Sequence, residues 1–100
     1  MKKAKNAPPG HLRAPAKKLW ERLRADYTID DAGGLALLAA ACSSFQRSEE
    51  ARELIEKEGL TTTDRFGQTR PHPGIAIERD SRAQMISALR ALKLAPSEEG

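Results

Sequence analysis

Apolar positions in this chain fall into helical blocks around one short β-branched segment. Leu19, Trp20, Leu23 and Tyr27 recur on one stripe between Ala16 and Tyr27, and Lys17, Lys18, Glu21, Arg22 and Arg24 fill the other faces. The spacing predicts a short first helix with Pro15 in its opening turn, stable only when docked. Leu35, Leu38, Cys42 and Phe45 form a second stripe, with Ile55 further along it. It predicts a long central helix ending at Glu58, roughly 40 Å long at 1.5 Å per residue. Thr28-Ile29-Asp30-Asp31 reads as a capping box at its start. Gly33 and Gly34 each weaken a helix by about 1 kcal/mol relative to Ala, so the helix begins at the box or just after them. Leu37, Ala40, Ala41 and Ser44 widen the apolar surface of the first half, which then buries against helix one and against something else. Gln46 to Glu58 is highly charged and reads as a solvated end or a subunit-contact surface. Gly59 is a C-terminal stop, with Lys57 suited to the dipole of the last turn. A third helix opens at Pro73 or Gly74 and runs to about Lys93. On it Ala83, Ile86 and Leu89 share a face flanked by Met85 and Leu92, while Arg79, Arg82 and Arg90 lie elsewhere.

Between the second and third helices, Thr61, Thr62 and Thr63 favour a strand. Asp64-Arg65-Phe66-Gly67 has the Asp-first, Gly-fourth pattern of a type I turn. Gln68-Thr69-Arg70 returns against the threonines, and Pro71 and Pro73 hold Arg70 and His72 extended. The expected fold is therefore mainly α: three helices, the central one long, with a short β-hairpin at 60–70 between the second and third. Residues 1–14, without periodicity, read as a flexible basic arm; 15–96 form one helical domain; 97–100 are a polar tail. An isolated two-stranded hairpin is marginal, so it must lean on its own helices or on a neighbouring chain.

Charge sharpens this picture. Residues 1–24 hold eight Lys/Arg and one acid, a net of +7, while residues 25–100 carry a net of −4. A basic segment on a mildly acidic body points to a polyanionic partner. The core is thin, since only four of the 100 residues are aromatic, and a small domain of this kind is commonly stabilised by oligomerisation. Cys42 is the only cysteine, so no internal disulfide forms. No signal-peptide run and no stretch near the roughly 20 apolar residues of a membrane span is present, which points to a soluble, intracellular chain without membrane contact.

Few residues suit catalysis or metal binding. His11, His72 and Cys42 lack the tight spacing of a zinc site. Cys42 sits on an apolar stripe, where cysteine packs as a small hydrophobe. Gly33-Gly34 lacks the spacing and the Lys of a phosphate loop. An acid–base pair such as Asp64 with His72 is conceivable, though nothing else in the sequence supports it, and a small metal-dependent nuclease is the reading that would use it. No cofactor, metal ligand or catalytic residue is expected. For double-stranded DNA the candidates are Lys2, Lys3, Lys5, Arg13, Lys17, Lys18, Arg22 and Arg24, which would contact phosphates in a salt-dependent way. The positives continue from the arm onto helix one, and helices one and two together resemble a helix-turn-helix. The rival is a small adaptor whose basic arm binds an acidic protein.

The order of elements resembles the small subunit of phage terminase, in the P27 family, from Pro15 to Pro96. The resemblance rests on Gly59-Leu60-Thr61 followed by Gly67, on His72-Pro73, on a helix carrying Gln84, and on Leu92-Lys93-Leu94-Ala95-Pro96. Trp20 and Asp30 or Asp31 also fit. Lys93 stands where the family has a closing Gly, and Ala95 where it has Thr. The resemblance implies a non-enzymatic DNA-packaging factor in the host cytoplasm. Such a subunit forms a homo-oligomeric ring, recognises viral DNA and delivers it to the large ATPase–nuclease subunit. His72-Pro73 is expected to be structural, fixing the junction between hairpin and third helix.

Overall fold

The computed structural model describes residues 7–94. In chain order it holds α1 (Ala14–Asp26), α2 (Ala32–Glu58), β1 (Thr61–Thr63), β2 (Thr69–Pro71) and α3 (Pro73–Leu92). The chain is thus mainly α, with a long central helix and an antiparallel hairpin between the second and third helices, as the sequence pattern predicts.

Two kinds of packing hold the helices together. Around α1 the side chains are large: Leu12, Ala16, Trp20, Ile29, Leu38 and Cys42 form the buried cluster, and Leu19, Leu23, Tyr27, Leu35 and Phe45 pack against it. Leu92 and Leu94 reach the same cluster from the end of α3. Burial pushes the Cys42 thiol up to about 11, so it is neutral at physiological pH and serves as packing volume.

Between α2 and α3 the side chains are small, apart from Ile55, which meets a glycine. The buried residues of α3 are Gly74, Ser81 and Ala88, and those of α2 include Ala41, Ser44, Ser48, Ala51 and Ile55. A Cβ placed on Gly74 would lie 3.2 Å from Ile55 Cγ1, which fixes the level of the two antiparallel helices. One heptad further along each, Ser48 stands level with Ser81, and after another, Ala41 with Ala88. Small residues at every level let the two backbones approach closely, and this pair shares the most extensive helix packing in the chain.

This corrects the expected inward face of α3. Ala83 is exposed and Ile86 is 42% exposed, while Leu89 and Met85 are only half-buried. The large apolar side chains do not fit the narrow seam, so the helix turns its small residues inward and leaves Ile86 outside.

The start of α2 is also settled. Asp31, not Thr28, is the N-cap, and its carboxylate accepts from Gly34 N–H at 3.2 Å. The helix therefore includes both glycines. Residues preceding α1 are fixed on α2: Leu12 is 3% exposed, His11 Nε2 is 2.8 Å from Ser43 Oγ, and Gln46 accepts from Arg13 N–H while donating to His11 O at 3.2 Å. Their non-periodic sequence gives no sign of this anchorage.

The hairpin pairs Thr61 with Pro71, Thr62 with Arg70 and Thr63 with Thr69. Pro71 ends the second strand from within it, at a position whose missing N–H costs no ladder bond on the outer side. Among the described residues the hairpin makes no extensive contact with the helices. Its tip is instead held by Asp64, whose Oδ1 accepts from Phe66 N–H at 2.9 Å and Gln68 N–H at 3.0 Å, and whose Oδ2 accepts from Arg70 Nε at 3.1 Å.

Candidate nucleic-acid interface

The candidate basic residues separate into groups once the helices are in place. At roughly 100° per residue, Ala16, Trp20 and Leu23 mark the buried side of α1. Lys17, Lys18 and Arg22 then lie on the outward side, and all three are exposed. None of the three makes an ion pair with another described residue. Glu21 sits among them and lowers the local field without reversing it. Arg24, at the edge of this face, is half-buried.

Arg13 is not part of that face. Its guanidinium turns back to α2, with Nε 3.6 Å from Glu50 and Nη2 3.5 Å from Glu53. The acidic second half of α2 thereby holds the segment leading into α1. Lys2, Lys3 and Lys5 lie outside the described residues. The structure places Lys17, Lys18 and Arg22 on the outward side of α1 and pairs Arg13 with Glu50 and Glu53 on α2.

His72 occupies a different place from the acid–base pair considered above. It is 3% exposed, and its two ring nitrogens make separate bonds. Nδ1 accepts from Gly74 N–H at 2.8 Å, capping α3, and Nε2 lies 2.7 Å from Glu58 Oε1. An acceptor at Nδ1 fixes the tautomer, so Nε2–H is the donor to Glu58. His72 Nδ1, Nε2 and backbone N–H, the last bonded to Leu60 O at 2.7 Å, tie the hairpin to both flanking helices. Asp64 sits at the other end of the hairpin and bonds Arg70, not His72. The His-Pro sequence signalled this junction; the Glu58 partner had no signal of its own.

Among the described residues no group of three or more His, Cys, Asp or Glu is placed to hold a metal ion, and no helix is long and apolar enough to cross a membrane. An open groove of about 320 Å³ lies between the second half of α2 and the start of α3, with Leu54 and Ile77 on its walls.

A family model described as phage terminase, small subunit, matches residues 16–100. No curated protein and no solved structure matches the chain. The matched span takes in nearly all of α1 with its outward basic face, the α2–α3 seam, and the hairpin locked by His72. The chain belongs to the phage terminase small-subunit family.

Proposed function

We propose that this chain is the non-catalytic, DNA-recognising subunit of a terminase of the P27 kind. It acts in the host cytoplasm as a homo-oligomeric ring, binds double-stranded viral DNA where packaging starts, and hands it to the large ATPase–nuclease subunit. The observation that carries the reading is the outward face of α1, with Lys17, Lys18 and Arg22 exposed and unpaired among the described residues, in a chain of this family. Each such cation contributes a small, salt-dependent phosphate contact. Repeating the face around an oligomer multiplies these into useful affinity without base contacts in any one copy. Lys2, Lys3 and Lys5 extend the same positive segment, and Arg24 lies at its edge.

The test is a salt titration of binding to linear double-stranded DNA. The Lys17→Ala/Lys18→Ala/Arg22→Ala variant is expected to bind more weakly at every salt concentration. Its log–log salt slope should be shallower by about 1 for each phosphate that is no longer neutralised. Unchanged affinity and slope, in this variant and in one with Lys2, Lys3 and Lys5 also replaced by alanine, would move the DNA face elsewhere. No salt-dependent DNA binding by the unmodified chain would favour an adaptor with an acidic protein partner.

A further inference from the structure

We propose that the groove between α2 and α3 receives the hairpin tip of a second copy of this chain, with Phe66 as the inserted side chain. The inference rests on the oligomeric reading above and specifies its contact. Phe66 is 73% exposed, the most exposed large hydrophobic residue of the described chain. The groove is walled by Ala51, Leu54, Pro73 and Ile77, of which Leu54 is 43% and Ile77 46% exposed. Its volume of about 320 Å³ is at the lower end for a small-molecule pocket and is of the right order for one aromatic side chain with its neighbours.

The tip is built to be inserted. Asp64 fixes the Phe66 and Gln68 amides and the Arg70 side chain, so the backbone that carries Phe66 is already ordered and less freedom is lost on docking. Charge favours the same pairing. Arg65, whose guanidinium lies 5.0 Å from the Phe66 ring centre, would arrive at a rim that carries both Arg47 and Glu50, the latter already paired with Arg13, so the attraction is to the wider acidic excess of this half of α2. The second half of α2 holds five Glu against three Lys/Arg, whereas the hairpin holds Arg65 and Arg70 against Asp64.

The tip does not fill the groove of its own chain. The groove opens at His72 and Pro73, the foot of the hairpin, and Phe66 lies at the far end of the strands, about 10 Å away at 3.3 Å per residue. Donor and acceptor are thus different surfaces of one chain. Such a head-to-tail contact closes into a ring or runs on as a filament. It also supplies the cover that an isolated two-stranded hairpin needs.

The experiment compares native masses of the full chain, of Phe66→Ser and of Leu54→Glu, each checked for helix content by circular dichroism. The unmodified chain is expected to be an oligomer. Phe66→Ser, altered at an exposed position, is expected to be a folded monomer of 11.0 kDa, and so is Leu54→Glu. Mixed one to one, the intact tip of the Leu54→Glu chain should enter the intact groove of the Phe66→Ser chain and give a dimer that grows no further. If Phe66→Ser keeps the mass of the unmodified chain, or the mixture gives no dimer, the tip-in-groove contact is wrong while the oligomeric reading stands. If the unmodified chain is a monomer at all concentrations with and without DNA, the oligomeric reading falls and this contact with it.

Discussion

His72 and Glu58 join the end of α2 to the start of α3 across the whole hairpin, through a 2.7 Å bond from Nε2–H to Oε1. The same ring caps α3 through Nδ1. His72→Ala removes a helix cap worth about 1 kcal/mol and strips a buried backbone donor of its partner, so a loss of about 2 kcal/mol is expected. His72→Asn, which can still cap, should recover part of it. Glu58→Gln, at a side chain 49% exposed, should cost under about 1 kcal/mol, because the amide oxygen still accepts. Urea unfolding of the three variants checks the order.

Gly34 inverts the usual propensity argument. Replacing a helical glycine by alanine normally stabilises by about 1 kcal/mol. Here the new Cβ would come 2.8 Å from Asp31 Oδ1 and 3.2 Å from Ile29 Cγ2. It would push the cap carboxylate off its own N–H partner and disturb a core side chain. Gly34→Ala is therefore expected to lower the thermal midpoint, and Asp31→Ala to lower it as well, by an amount worth about 1 kcal/mol. In the double variant the two losses should not add, since both break one cap.

Arg13 separates folding from DNA contact. Its ion pairs with Glu50 and Glu53 are about half exposed, so Arg13→Ala should cost less than about 1 kcal/mol. The salt slope of DNA binding should stay that of the unmodified chain, in contrast to the variant lacking Lys17, Lys18 and Arg22. A slope shallower by about 1 would return Arg13 to the phosphate-contacting set.

Asp64 makes the hairpin tip sensitive to acid. The bond from Gln68 N–H, and after it the Arg70 side chain, hold the carboxyl below its ordinary value of 3.8. A depressed value in the folded state means a contribution fully present above 3.8 and lost as pH falls through the lower folded value. The Phe66 and Gln68 amide signals should shift together in that acidic window. Asp64→Ala should produce the same loosening at neutral pH with the helices intact, as read by backbone amide exchange.

The legible parts of the chain were those governed by local chemistry. Trp20 and its stripe, the Thr61–Thr63 strand, the Asp64–Gly67 turn and the Gly59 stop each follow from residue type and spacing. The face of α3 was hidden because periodicity weighs large side chains. The seam with α2 selects small ones, and Ser81 is buried while Ile86 is not. The fixed position of His11 and Leu12 was hidden for another reason: it depends on Ser43 and Gln46, more than thirty residues away. At the candidate DNA face, the charge count marked the segment, but only the turn of α1 and the position of Glu50 and Glu53 separate Lys17 from Arg13.

The small-residue seam has a consequence for orientation. Ala41, Ser48 and Ile55 on α2, and Gly74, Ser81 and Ala88 on α3, repeat at seven residues where a straight helix repeats at 3.6 per turn. The pair must wind left-handed by roughly 20° per heptad to stay in register. The basic side of α1 sits towards one end of this winding and the hairpin at the other. Their relative azimuth is therefore set by a count of residues, like the phase between two marks on a screw. A single residue added to α2 between Phe45 and Ala51 would advance everything beyond it by roughly 100°. It would turn the hairpin and the groove together relative to α1, away from any neighbour that both had been aligned to meet, with every local contact of the tip left as it was.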